Sequence, residues 1–138
     1  MAPTCLFCAI VAGDAEATRV MEDDQMVAFL DIRPLFKGHV LLVPRQHVVT
    51  LPELPAELGA PFLDAGKRLA AAMVGGLGAQ GSFVAMNNVV SQSVLHLHLH
   101  VVPRTKGDGL RGFFWPRTKY ADGAEMEAYA ARIRAALE

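Results

Sequence analysis

Apolar and polar positions alternate in short blocks along this chain, and the block lengths predict more strands than helices. Val20-Met21-Glu22, the polar turn Asp23-Asp24-Gln25 and the stretch Met26 to Ile32 read as strand, turn, strand. His39 to Val43 is a short apolar run bounded by Gly38 and Pro44, a third strand. Phe62 to Met73 puts Phe62, Ala65, Leu69 and Met73 on one helical face, with Gly75 and Gly76 as the stop. A start near Pro55 would place Pro61 inside the helix, where it removes a backbone bond. Ser82 to Met86 and Leu95 to Val102 predict two further strands. Asp122 with Glu125 has capping-box spacing. Behind it Met126, Tyr129, Ala130, Ile133 and Leu137 recur at helical intervals, which predicts a terminal helix over about 122–137. About five strands, two helices and an initial hairpin make an α+β fold with a mainly antiparallel sheet.

Composition narrows the function classes. The chain has 138 residues, 52% apolar and 20% charged, which fits one globular domain over 1–138 without disulfide staples. Its net charge of -1 argues against coating nucleic acid by bulk charge. Leu69 to Pro103 lacks Asp, Glu, Lys and Arg, yet glycines, amides and histidines interrupt it, so no membrane span is expected. The N-terminus lacks a secretory pattern, and two cysteines at Cys-x-x-Cys spacing fit a reducing compartment. The expected location is the cytoplasm. Gly76-Leu77-Gly78-Ala79-Gln80-Gly81 matches a dinucleotide-binding pattern letter for letter. A helix is expected before it and a strand after it, the reverse of what phosphate binding at a helix N-terminus needs.

The densest chemistry lies in His96-Leu97-His98-Leu99-His100-Val101-Val102. In extended backbone the three histidines share one face, and Leu95, Leu97, Leu99 and Val101 share the other. Such a row suits a catalytic metal or a nucleophilic imidazole flanked by donors. Neutral hydrogen-bonding groups (Asn87, Asn88, Gln92, Ser93) precede it, and no carboxylate lies between Lys67 and Asp108. From Arg104 to Lys119 five basic residues face one acid, which favours a phosphorylated substrate. Cys5-Leu6-Phe7-Cys8 alone fits a redox dithiol or half a metal site, which His47 and His96 could complete as a Cys₂His₂ set.

With these residues in view the sequence resembles the histidine-triad family of nucleotide hydrolases and transferases. The motif His-φ-His-φ-His-φ-φ, with φ apolar, fits residues 96–102 throughout. The Phe7 region, Ala28 to Ile32, Lys37-Gly38-His39-Val40, Val43 to His47, Gln92-Ser93-Val94 and Val102-Pro103-Arg104 follow in family order over roughly residues 5–110. The branch it resembles is the bacterial one related to nucleoside phosphoramidases. The resemblance implies the family's fold, a two-fold homodimer and a purine nucleotide substrate. It makes His98 the nucleophile on the α-phosphorus, forming a nucleotidyl-histidine that water releases as nucleoside monophosphate. His100 and His39 would bind phosphate oxygens, with Gln92, Ser93 and Asn87 donating to the phosphates or leaving group. Asp31 would accept from the ribose hydroxyls, and Phe7, Phe29 and Ile32 would surround the base. One structural zinc per chain would sit on Cys5, Cys8, His47 and His96. One departure stands out. Relatives carry a glycine-rich stretch between the asparagine and the glutamine, whereas this chain has Asn88-Val89-Val90-Ser91 and is shorter there.

Other readings compete with the phosphoramidase. One is a dinucleoside polyphosphate hydrolase, one a metallohydrolase with its metal on His98 and His100, and one a nucleotide-binding sensor without turnover. Gly112-Phe113-Phe114-Trp115-Pro116 is either a flap on its own core or a lining for the leaving group.

Overall fold

Both faces of the strand Met26–Leu30 (β2) are covered. Met26 and Ala28 join Val40, Leu42, Leu97, Leu99 and Val101 in one core cluster. Val27 and Phe29 turn the other way and pack with Leu41, Val43, Phe7 and Ile10. This is the period-two alternation of a pleated strand, with apolar residues required on both sides. The computed structural model describes residues 5–110 and 117–137. The chain forms two compact units, which meet in sequence at Asp108 and Gly109.

The first unit is built on one five-stranded sheet. Its strands are β1 (Arg19–Glu22), β2, β3 (Val40–Pro44), β4 (Gly81–Ala85) and β5 (Leu99–Arg104), in the order β1-β2-β3-β5-β4. Every neighbouring pair is antiparallel, as the pattern predicted. The first hairpin turns where Asp23 Oδ1 accepts from the amides of Gln25 and Met26, both at 2.8 Å.

Among the described residues three α-helices form, where the apolar pattern predicted two. The extra one, α1 (Leu6–Ala12), is seven residues long and buries Phe7 and Ile10. Propensity alone does not sustain so short a helix, so its stability comes from packing. Cys5 Sγ accepts from the Cys8 amide at its start, and Gly13 closes it at φ +86°. The helix α2 (Ala56–Leu77) is longer than predicted at both ends. It accommodates Pro61 and passes through Gly75 and Gly76; Gly78, at φ +70°, is the stop. There the amides of Gly78 and Ala79 bond back to the carbonyls of Val74 and Met73. Burial of Leu58, Phe62, Ala65, Leu69 and Met73 against the sheet outweighs the lost Pro61 bond. The glycine motif at 76–81 runs from helix to strand, as expected, and so offers no helix N-terminus to a phosphate.

β5 begins at Leu99 rather than Leu95. Leu97, ahead of the strand, is still fully buried in the core, and its amide bonds to the Val48 carbonyl at 2.7 Å. Leu95, expected to share that buried face, is exposed at 62%.

The second unit contains α3 (Gly123–Leu137). Its cap forms as the spacing predicted. The Glu125 amide donates to Asp122 Oδ1, and Glu125 Oε1 accepts from the Ala121 amide, both at 2.8 Å. Met126, Tyr129, Ile133 and Leu137 are all exposed. The Gly112–Pro116 segment lies outside the described residues. No helix among them is long and apolar enough to cross a membrane.

Candidate functional site

Two histidine-centred clusters share the row that leads into β5. In the first, α1 brings Cys5 and Cys8 beside His47, just beyond β3, and His96. Cys8 Sγ lies 3.2 Å from His47 Nδ1 and 3.5 Å from His96 Nδ1. Cys5 Sγ is 3.5 Å from His96 Nδ1, and the two Nδ1 atoms are 3.2 Å apart. Around a tetrahedral zinc, with bonds of about 2.3 Å to sulfur and 2.0–2.1 Å to nitrogen, ligand edges run about 3.3 Å between nitrogens and about 3.5 Å from nitrogen to sulfur. The four side chains therefore have the spacing of one tetrahedral site. The tautomer of His96 fits too. Its Nε2 must carry the proton that bonds the Pro44 carbonyl at 2.8 Å, which leaves the Nδ1 lone pair facing the thiols. Burial and the neighbouring Cys5 push the metal-free Cys8 thiol up to about 11.

The second cluster contains His98, His100, His39 and Asp31. Hydrogen-bond partners fix every ring here. His98 Nδ1 lies 2.7 Å from the His96 carbonyl, so Nδ1 donates and Nε2 keeps its lone pair. His39 Nδ1 accepts from the Leu35 amide at 3.1 Å, so its Nε2–H donates to His100 Nδ1 at 3.0 Å. His100 then carries its proton on Nε2. The second metal-capable group, Asp31 with His39 and His100, meets this tautomer as an obstacle, since His39 Nε2 has a proton where a ligand needs a lone pair. His98 belongs to neither metal-capable group among the described residues, which counts against the expected alternative of a metal on His98 and His100. Phe7 lays its ring edge on His98, with centroids 5.1 Å apart, and His98 and His100 rings are 5.0 Å apart.

Burial favours the neutral form of three of the five histidines. It lowers His39 and His96 from their ordinary values, and with the nearby His98 and His39 it lowers His100 to about 4. An unfolded His100 titrates near 6.5, so between about 6.5 and 4 the unfolded chain takes up the proton first. Stability contributed by neutral His100 is therefore complete above about pH 6.5 and is lost as pH falls towards 4. Thermal melts from pH 7.5 to 4 are expected to show this fall, and His100→Asn to show a shallower one. Equal slopes in the two proteins would contradict the assignment.

The residues around the clusters vary in placement. Asp31 Oδ1 accepts from the Arg33 amide, and Oδ2 lies 3.8 Å from His39 Nε2. Phe7 and Phe29 are buried with ring centroids 5.3 Å apart, whereas Ile32, one residue past Asp31, is exposed at 91%. Gln92 is buried and Ser93 exposed. Asn87 Nδ2 donates to the Ser91 carbonyl. Arg104, first of the basic run, is paired with Asp108 at 2.7 Å, the only acid in that run.

Comparison with known proteins matches residues 12–107 to the HIT domain model. The chain belongs to the HIT family. An uncharacterized HIT-like protein of Mycobacterium tuberculosis, MT1300, is 43% identical over 108 residues, covering 77% of this chain and 75% of its own. The adenosine 5'-monophosphoramidase hnt1 of Schizosaccharomyces pombe is 35% identical, covering 82% of this chain and 84% of its own. A zinc-bound histidine triad family protein from Mycobacterium smegmatis has a TM-score of 0.74 at 40% identity, covering 96% of this chain and 97% of its own. The five-stranded antiparallel sheet described above is thus the HIT fold.

Sequence reasoning did not find the backbone groups that set this HIT protein's tautomers. The carbonyls of Pro44 and His96 and the amide of Leu35 decide which nitrogen of each ring is free. Any residue supplies such groups, so no side-chain signature marks them. One weak signal was available in Gly38, whose φ of +102° lets the turn from Phe36 deliver His39.

Proposed function

We propose that this HIT protein is a nucleotide hydrolase that attacks the α-phosphorus of a nucleoside 5'-phosphoramidate or related purine nucleotide. The observation that carries the reading is the pairing of a free lone pair on His98 Nε2 with a donor on His100 Nε2 in adjacent rings. In the first step His98 Nε2 bonds to phosphorus as the bond to the leaving group breaks. The leaving group departs with the bonding electrons and takes a proton from solvent. The phosphorylated ring is then cationic, and the His96 carbonyl that accepts Nδ1–H stabilises it. His100 Nε2–H donates to a phosphoryl oxygen. In the second step water attacks phosphorus, the electron pair returns to Nε2, and nucleoside monophosphate leaves. Asp31 Oδ2 takes the ribose hydroxyls, Ile32 covers the base from the rim, and Phe7 and Phe29 form the floor beneath.

Cys5, Cys8, His47 and His96 would hold zinc. With four protein ligands it would have no open position for water, so its contribution would be structural. It would fix α1, whose Phe7 lies against His98. The exposed α3 stripe fits burial in a homodimer.

The test is turnover of adenosine 5'-phosphoramidate by the purified protein. Release of AMP at rates set by enzyme concentration is the expected result. Binding without product would point to a sensor, and hydrolysis confined to dinucleoside polyphosphates to the alternative hydrolase.

A further inference from the structure

The loop between Asn87 and Ser93 has a backbone its residues do not favour. Val89 has φ +71° and Ser91 φ +63°. Glycine enters this left-handed region freely, whereas a β-branched residue rarely adopts it. No glycine stands between Asn87 and Ser93, so contacts elsewhere must impose the turn. The Gln92 side chain makes two of them, at Val89 and Val49, while Asn87 Nδ2 holds the Ser91 carbonyl. Gln92 Oε1 accepts from the Val89 amide at 2.9 Å, and its Nε2 donates to the Val49 carbonyl at 2.6 Å. The second bond ties the loop to the segment behind His47. Asn88 Oδ1, accepting from the Leu51 amide at 2.7 Å, ties it again. On the other side of Ser93, Val94 packs against the cluster of Phe7, Phe29 and Leu41. Ser93 is therefore suspended between two fixed points, of which Gln92 is one.

We propose that Gln92 is a positioning residue, a latch that holds Val89 left-handed and thereby sets Ser93 for the phosphoryl substrate. This replaces the direct donor role the family resemblance implies for Gln92. It rests on the nucleotide-hydrolase reading for its catalytic consequence, but not for the strain it describes.

The test places Gln92→Ala in two backgrounds, the parent and Val89→Gly. Glycine at 89 keeps the left-handed turn without a latch. In the parent, Gln92→Ala is expected to lower kcat for adenosine 5'-phosphoramidate at least about tenfold with little change in KM, as misplacement of a donor does. In the Val89→Gly background the same change should cost less than about threefold. Equal losses in both backgrounds would put Gln92 on the substrate itself and overturn the latch, as would no loss in the parent. A second readout needs no activity. Val89→Gly should raise Tm in the parent, where it relieves strain, and not in Gln92→Ala, where the loop has already relaxed. An equal rise in both proteins would overturn the latch. Failure of the parent to turn over any nucleotide would sink the hydrolase reading and leave the melting comparison to decide the latch.

Discussion

Replacing His98 with asparagine is expected to lower turnover of a nucleoside phosphoramidate by at least about a thousandfold, since the proposed covalent intermediate forms on its Nε2. Asparagine is chosen because its side-chain N–H can still donate to the His96 carbonyl, the bond that seats the parent ring. The change then removes the nucleophilic lone pair and little else. His98 is buried, so the smaller side chain lowers stability somewhat, and a Tm measured beside the rate separates that cost from the lost chemistry. Nucleotide binding should survive. Turnover within about tenfold of the parent, in a folded variant, would mean that another group carries the reaction.

Loss of the proposed zinc is expected to act on stability first. Cys8 contributes one of the four donor atoms, and serine cannot replace a zinc-bound thiolate at that spacing. A zinc held there would tie α1 to the residues following β3 and to the base of the triad row, three parts of the chain far apart in sequence. Cys8→Ser should therefore cost about 3 kcal/mol, roughly a 10 °C fall in Tm for a domain of this size. A chelator should lower the Tm of the parent by a similar amount and leave the variant unchanged. Elemental analysis of the parent should give one zinc per chain. Single-turnover rates in folded Cys8→Ser should stay within about threefold of the parent, because the metal would meet the nucleophile indirectly, through Phe7 and the His96 backbone. Unchanged melting with lost chemistry would reverse the assignment of structural and catalytic roles.

The parts of this molecule that follow a simple period were legible in the sequence. The alternation in the row from His96 sends Leu97, Leu99 and Val101 into the α2 core and leaves the histidines on the opposite face. The same logic gave the first hairpin and the cap of α3. The metal-capable quartet was legible as donor chemistry, although Cys5 and His96 are 91 residues apart. What escaped depends on tertiary contacts. The helix α1 is too short for its pattern to stand out, and α2 runs through Pro61, Gly75 and Gly76 because the sheet buries its apolar face. The early start given to β5 confused an extended backbone with a paired one; Leu97 bonds to Val48 and not to β3. The left-handed Val89 could not be read at all, since valine is a residue that argues against such a turn.

The proposed reaction turns on a covalent bond between His98 and the substrate phosphorus. Intact-protein mass spectrometry after rapid quench with adenosine 5'-phosphoramidate tests it most directly. A nucleotidyl adduct on the parent, absent from His98→Asn, is the expected result. AMP formed by the parent at an undiminished rate in His98→Asn, with no adduct in either protein, would contradict it.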